Sequence, residues 1–186
     1  MGSYRLLILA CAWLLGGCGA TTFRVEVAPT INDSGRPGVE AALSFGVGWP
    51  LDFHGRSHHY LQGLASLGGG GVGGRGAGQP TAGAFLAAVG VDYIYWAEPT
   101  LDLRAGPRFT FRQLSDAAGE AKLFGLGGQL AILPMVKKND AAWLLTHLCL
   151  GPAFRVEALW SSPPGDTQAL FSLPLILELN WLAAGD

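Results

Sequence analysis

Hydrophobic and polar residues alternate with period two along most of the chain, between clusters of Gly, Pro, Asn and Asp. Such alternation is typical of β-strands whose two faces meet different surroundings. No stretch between the alternating segments is long enough for a crossover helix, so neighbouring strands are expected to pair antiparallel. The predicted fold class is all-β: an antiparallel up-and-down meander that closes into a small, eight-stranded β-barrel without free edges. The predicted strands cover residues 22–30, 38–49, 59–68, 82–97, 100–113, 120–136, 142–160 and 167–182.

The fifth and eighth predicted strands show the two faces most clearly. Eight strands leave an interior that side chains just fill, so small and charged residues suit the inside, whereas Phe and Leu rows suit lipid outside. A soluble two-sheet sandwich with the apolar rows as its core is the alternative interpretation. In the fifth strand, the row Leu101, Leu103, Ala105, Phe109 and Phe111 opposes Asp102, Arg104, Arg108, Thr110 and Arg112. In the eighth, Phe171, Leu173, Leu175, Leu177, Leu179 and Trp181 oppose Gln168, Ser172, Glu178 and Asn180.

The polar rows predict a set of charged residues inside the barrel. Charges enclosed in a narrow lumen must be paired, because an unpaired buried charge is strongly destabilising. We therefore expect ion pairs rather than a water-filled pore, for which eight strands leave little room. The predicted interior charges are Asp102, Arg104, Arg108, Arg112, Arg155, Glu157 and Glu178.

The first twenty residues have the pattern of an export signal. Tyr4-Arg5 precedes an apolar run of about ten residues, too short for a transmembrane helix of about twenty. The following Leu15-Gly16-Gly17-Cys18 resembles the bacterial lipobox. The resemblance implies that residues 1–17 are removed by signal peptidase II, that Cys18 is acylated, and that Gly19 directs the protein to the outer membrane. Residues 18–21 would then be a short tether and residues 22–186 a single barrel domain. The alternative is an ordinary secreted protein cut near Ala20.

The composition narrows the functional classes. Without Arg5, eleven Lys and Arg face fourteen Asp and Glu, a formal charge of −3 with no basic cluster, which argues against nucleic-acid binding. Charged residues make up 14% of the chain, against about 25% in soluble domains. Cys149 would be the only cysteine left after export besides Cys18, so no internal disulfide is expected. A chain with so few charges is expected to present much of its surface to something other than water.

Aromatic residues and prolines add two further expectations. If the first strand begins at the periplasmic end, Trp49, Trp96, Trp143 and Trp181 reach that rim, together with Tyr93 and Tyr95, and only Trp160 reaches the other. This distribution predicts an aromatic belt at the membrane boundary. Pro107, Pro134, Pro152 and Pro174 lie inside predicted strands, where each removes one backbone donor. Gly106 and Gly151 precede two of them and predict local β-bulges.

Strands that carry Gly-Pro within an apolar alternation, as in Leu103–Phe109 and Leu148–Phe154, resemble those of small outer-membrane β-barrel proteins from residue 82 onward. The resemblance implies an eight-stranded barrel integral to the membrane. The predicted function is a non-enzymatic outer-membrane lipoprotein, without cofactor or nucleic-acid partner, whose partner is membrane lipid. Its role would be structural or adhesive, through loops near residues 31–37, 68–80, 114–119 and 161–166. Two alternatives stay open: a tethered soluble lipid-binding barrel or sandwich, and a lipid-modifying barrel enzyme.

Three weaker patterns are candidates for a metal site, a dinucleotide site and a catalytic nucleophile. His54, His58 and His59 lie near Asp52, but adjacent strand residues point to opposite faces, so a solvated turn is favoured over a metal site. The glycines in 71–76 formally match a dinucleotide motif, but no helix is predicted after them, and a loop is favoured. His147 and Cys149 share the interior row. Without a serine at a matching spacing, a buried Cys149 is favoured over a nucleophile.

Overall fold

The computed structural model describes residues 20–33, 35–51, 58–72, 82–97, 100–116, 119–141, 144–162 and 167–183. Within these ranges the chain forms β-strands joined by short connections. The predicted signal peptide and Cys18 lie outside the described residues. The strands are β1 (Ala20–Asn32), β2 (Pro37–Pro50), β3 (His59–Val72), β4 (Ala82–Ala97), β5 (Leu101–Asp116), β6 (Gly119–Ala141), β7 (Leu144–Ser162), β8 (Gln168–Ser172) and β9 (Leu175–Ala183).

The strands close into a barrel. Each strand pairs antiparallel with the next, and β8 and β9 are two halves of one wall strand, interrupted at Leu173-Pro174. That wall strand pairs with β7 on one side and with β1 on the other, while β1 also pairs with β2. The predicted antiparallel, eight-stranded barrel is confirmed. Among the described residues, no helix is long and apolar enough to cross a bilayer.

The register of the pairs shows how far the strands tilt. Partners can be followed strand by strand from Thr22 around the barrel, and the path returns to β1 at Asn32, ten residues further along. A stagger of this kind tilts barrel strands by about 35–45° to the axis. A row of partners therefore climbs from the rim where β1 begins, the N-terminal rim, towards the opposite rim. The path runs Thr22, Gly46, Leu64, Gly90, Arg108, Gly127, Glu157, Leu170 and Asn32.

Pro107 and Pro174 interrupt the hydrogen-bond ladders without moving the register. Around Pro107, pairing of β4 with β5 stops at Gly90–Arg108 and resumes in the same register at Tyr93–Ala105. Pro174 lies in the break between β8 and β9, where the carbonyl of Pro174 accepts a hydrogen bond from Ala153 N at 2.7 Å. Each interruption of the pairing thus lies at a proline, which has no backbone N–H to donate to the ladder.

The expected bulges at the two Gly-Pro pairs are not observed. The register shift between β6 and β7 lies between Met135 and Lys137 instead, just after Pro134. Gly106 serves a close approach: a Cβ built there would lie 1.9 Å from the carbonyl oxygen of Val91. A Cβ built at Gly127, which no proline follows, would lie similarly close to a backbone carbonyl oxygen. The glycines therefore allow neighbouring strands to approach closely and do not mark bulges.

Candidate functional site

Side chains of alternate residues point into the lumen, and this interior is the buried part of the molecule. Buried and exposed positions alternate strictly along β2 and through most of β7. Apolar residues occupy part of the lumen, in one cluster around Leu133, Cys149 and Ile176 and another formed by Tyr60 and Ile94. Charged residues occupy much of the rest. The buried charged side chains are Arg24, Glu26, Glu40, Asp92, Asp102, Arg104, Arg108, Arg112, Arg155, Glu157 and Glu178.

A five-residue ion cluster lies nearest the N-terminal rim. Arg24 on β1 donates from Nε to Glu178 Oε2 at 2.8 Å and from Nη2 to Asp92 Oδ2 at 3.0 Å. Arg104 donates from Nη2 to Asp102 Oδ2 at 2.6 Å and also to Glu178 Oε1. Glu178 therefore joins two guanidinium groups, and each arginine contacts two carboxylates. Such mutual compensation is what a buried charge needs.

Neutral groups complete this cluster. Arg104 Nη1 donates to Gln62 Oε1 at 2.8 Å, Gln62 Nε2 donates to Thr22 Oγ1 at 2.5 Å, and Thr22 donates to Asn180 Oδ1 at 2.5 Å. Trp96 Nε1 donates to Asp102 Oδ2 at 3.2 Å. The hydrogen bonds connect β1, β3, β4, β5 and β9, so the network ties most of the wall together. A buried hydrogen-bonded network that joins this many strands favours one arrangement of them.

A second ion cluster crosses the lumen further from the N-terminal rim. Glu26 on β1 accepts from Arg108 Nη2 on β5 at 3.1 Å and from Arg155 Nη2 on β7 at 2.9 Å. Arg155 Nε also donates to Gln129 at 3.1 Å. Strands β1 and β5 stand on opposite sides of the eight-stranded wall, so the Glu26–Arg108 pair spans the diameter.

A third cluster lies towards the opposite rim. Arg112 Nε donates to Glu40 Oε1 at 2.6 Å, and Arg112 Nη2 donates to Glu157 Oε2 at 2.5 Å. Arg112 Nη1 also donates to Thr110 Oγ1 at 2.8 Å. The three clusters place ion pairs across the interior at three heights. Acidic and basic groups that meet across the axis occupy the space that an open aqueous channel would need.

The structure places all seven predicted interior charges in the lumen, and each takes part in one of these clusters. Sequence reasoning missed Arg24, Glu26, Glu40 and Asp92, which supply much of the pairing. The signal was present, because Arg24 and Glu26 stand two residues apart on one face of β1. Applying the same alternation to the first, second and fourth strands would have found them.

The weaker candidates have other surroundings. His58 Nδ1 lies 3.1 Å from Trp96 O, whereas His59 Nδ1 lies 2.6 Å from the Tyr93 hydroxyl, so the adjacent imidazoles engage different partners. His54, Asp52 and Gly73–Gly76 lie outside the described residues. Within the described ranges, no group of His, Cys, Asp and Glu has the arrangement of a metal site. On β7, the His147 ring stands edge-on to Trp96 at 5.2 Å, and Cys149 is buried in the apolar cluster.

The outer wall is apolar. Leu67, Leu130 and Leu173 are 62%, 60% and 61% exposed, although isolated leucines in a water-soluble protein are mostly core residues. The outward rows of the fifth and eighth predicted strands, Phe109 and Leu175 among them, also face out of the barrel. The wall therefore has apolar residues outside and paired charges inside, the reverse of the distribution in a soluble protein. This is the side-chain distribution of a transmembrane β-barrel.

Aromatic residues mark the two ends of this wall. Trp49, Tyr93 and Tyr95 point outward near the N-terminal rim, while Trp160 lies towards the opposite rim and stacks on Phe124 at 6.5 Å. The prediction that Trp96 belongs to the outer belt is wrong: it has the inward parity of Ile94 and packs against Tyr60 at 4.4 Å inside the barrel. Trp181, half-buried, has the outward parity of its strand, and Trp143 lies outside the described residues.

A similar solved structure supports this class of fold. No family model matches the chain, and no curated protein matches it. Among solved structures, Neisserial surface protein A (NspA) is similar with a TM-score of 0.55 at 11% identity, over 88% of this chain and 96% of that one. Ail, the attachment invasion locus protein of Yersinia pestis, gives a TM-score of 0.46 at 8% identity, over 87% and 97% of the two chains. The likeness to NspA supports the small-barrel fold and nothing beyond it.

Proposed function

We propose that the protein is a lipid-anchored, outer-membrane β-barrel lipoprotein with a structural or surface-interaction role and no enzymatic activity. The observation that carries the proposal is the reversed polarity of the wall, apolar outside and ion-paired inside. Burial of the outer Phe and Leu side chains in hydrocarbon would contribute about 25 cal/mol for each Å² removed from water. The soluble lipid-binding alternative would require an open apolar lumen, whereas ion-paired side chains fill much of this one.

The anchor completes the proposal. Residues 1–17 would be the signal peptide and Cys18 the acylated first residue of the mature chain. Strand β1 begins at Ala20, two residues after Cys18, so an acylated Cys18 stays close to the N-terminal rim. This rim would then face the periplasm. Several acyl chains together give stable membrane attachment, since each buried CH₂ contributes about 0.8 kcal/mol.

The connections at the opposite rim bear on the role. They span residues 33–36, 73–81, 117–118 and 163–167, so the longest has nine residues. A connection of nine residues or fewer offers few side chains to a protein partner, whereas stable interfaces need about 800 Å² from each side. This favours a structural role within the membrane over adhesion through long loops.

The lumen supports a non-enzymatic role. Interior Arg and Glu side chains are engaged in cross-barrel ion pairs, and Cys149 is buried in the apolar cluster with Leu133 and Ile176. A water-filled pore would need the same space as the Glu26–Arg108 bridge.

The need for detergent tests the membrane barrel directly. Residues 19–186 expressed without the leader should be insoluble in buffer and should refold in detergent micelles or lipid vesicles. The refolded protein should migrate faster on gels than the boiled sample, because the closed barrel resists unfolding by detergent at room temperature. A leaderless chain that remains monomeric and folded in buffer alone would overturn the proposal.

A further inference from the structure

A shallow apolar groove runs across the outer wall from β1 to β5, with a volume of about 690 Å³. Its floor follows one row of paired residues, and a second, parallel row lies beside it. The outward residues of the first row are Phe23, Phe45, Ala65, Val89 and Phe109, and those of the second are Leu43, Leu67, Ala87 and Phe111.

The groove exists because small side chains stand between large ones. Ala65 and Ala87 occupy middle strands of the two rows. Large side chains stand at the ends, Phe23 and Phe109 in the first row and Leu43 and Phe111 in the second. On β3 the next outward position towards the N-terminal rim is Gly63, where an added Cβ would meet no atom within 4 Å. Towards the opposite rim, the next outward position after Ala65 is the bulky Leu67. The depression is therefore open towards the N-terminal rim at Gly63, between Val47 and Val91.

The groove also starts near the beginning of the first strand. Its first residue, Phe23, is on β1, three residues after the strand begins at Ala20. Partner rows climb from the N-terminal rim in the direction from β1 to β5, as the stagger of ten residues requires. The groove therefore leads away from the first residues of the barrel and obliquely up the outer wall.

The dimensions suit one hydrocarbon chain. Five strands at about 4.8 Å spacing give a length of about 19 Å. A chain that fills one leaflet is about 15 Å long, half of a hydrocarbon core of about 30 Å. Cys18 is two residues from Ala20, a reach of at most about 7 Å. An acyl chain on Cys18 would enter the membrane next to β1, where the groove begins at Phe23.

We propose that this groove holds an acyl chain of the protein's own Cys18, so that the anchor packs along the barrel wall instead of mixing freely with the surrounding lipid. The inference rests on the proposed acylation of Cys18. Contact with fixed Phe and Leu side chains provides dispersion attraction along the whole chain. Other occupants, a bilayer lipid or a second copy of the protein, are outcomes that the experiment separates.

A photoreactive fatty acid tests the proposal on the full-length protein in its own membrane. Cells grown with a diazirine-bearing fatty acid would incorporate it into Cys18 and into bulk lipid, and the protein would be irradiated, purified and digested. Mass spectrometry then identifies peptides joined to the Cys18 peptide through the acyl chain. We expect links to the β3 and β4 peptides that contain Ala65 and Ala87 to exceed links to the β6 and β7 outer wall by about tenfold.

A filled groove provides the matched comparison. Ala65→Leu combined with Ala87→Leu should reduce the links to β3 and β4 by about tenfold. The control pair, Ala105→Leu combined with Ala158→Leu, makes the same change at outward, exposed positions outside the groove and should leave the links unchanged. Heat-dependent gel migration shows whether each variant still forms a closed barrel. Since all four positions face outward, both pairs are expected to fold.

The outcomes separate this inference from the lipoprotein proposal. An acylated Cys18 whose links spread evenly around the wall, or join two copies of the protein, overturns the groove while the lipoprotein stands. Groove peptides modified only by lipid that is not attached to Cys18 overturn it in the same way. A Cys18 peptide without an acyl chain overturns the anchor, and the inference with it, while the barrel proposal stands.

Discussion

The inner and outer faces of the wall have opposite chemistry although they come from the same strands. On β5, Arg104 and Arg108 point inward to carboxylates from other strands, while Phe109 points outward with no polar neighbour to satisfy. The inner face is specific, because each charge needs a partner at hydrogen-bond distance. Outside the groove, the outer face needs only apolar surface, which any hydrocarbon can cover. Substitutions should therefore have unequal effects on the two faces.

The largest effect is expected from removing one charge inside. Glu178→Gln keeps the side-chain volume but leaves Arg24 and Arg104 without their shared carboxylate. Breaking a buried pair in this way destabilises a protein by about 3–5 kcal/mol. Urea titration of the free energy of unfolding in lipid vesicles, followed by tryptophan fluorescence, would measure it.

The control for that variant is Glu120→Gln, the same change at an exposed residue whose carboxylate accepts a bond from Gln113. It should change the free energy of unfolding by no more than about 0.5 kcal/mol. Equal effects of the two substitutions would show that the interior ion pairs do not hold the barrel together.

The next effect is expected from placing a charge on the outer face. Leu130→Arg sets a guanidinium on the exposed outer wall, opposite Ala105 and Phe154. An arginine that faces lipid near the bilayer midplane costs about 2–4 kcal/mol, falling to about 0–1 kcal/mol near the interfaces. The same titration applies, with Gln113→Arg, near the opposite rim, as the depth control. A Leu130→Arg barrel as stable as the Gln113→Arg barrel would place this surface in water.

The smallest effect is expected at the aromatic boundary. Trp160→Leu keeps an apolar side chain but removes the stacking of the indole on Phe124. Aromatic pairs contribute about 0.5–1.5 kcal/mol beyond the area they bury. The loss of unfolding free energy should lie in that range, and Trp160→Phe should recover part of it. A loss as large as that of Glu178→Gln would mean that Trp160 does more than pack at the boundary.

Much of the fold could be predicted because hydrophobic and polar residues alternate with a period of two, and this alternation shows which face of a strand each residue lies on. The rows of β5 and β9 predicted which residues face inward, including Arg104 and Glu178. The prediction for Trp96 is wrong because it uses an assumed height along the barrel and not the parity that Trp96 shares with Asp92 and Ile94. Parity is a local property of one strand and is more reliable than an assumed height along the barrel.

Features that depend on several strands at once could not be predicted. The groove needs Phe45, Ala65 and Val89 to stand side by side on three strands, and a shift of one residue in register would turn one of them inward. Likewise, the Glu26–Arg108 pair depends on closure of the barrel, which places β1 opposite β5. The bulge after Pro134 depends on how β6 and β7 fit together, which the two sequences do not show separately.

The bridge from Glu26 to Arg108 and Arg155 has a consequence for biogenesis. A first hairpin of β1 and β2 that entered the bilayer alone would carry Arg24, Glu26 and Glu40 into hydrocarbon before the later strands could neutralise them. The kinetic barrier for such stepwise entry is therefore high. We expect the chain to cross into the membrane as an almost complete cylinder, with insertion and closure as one cooperative event.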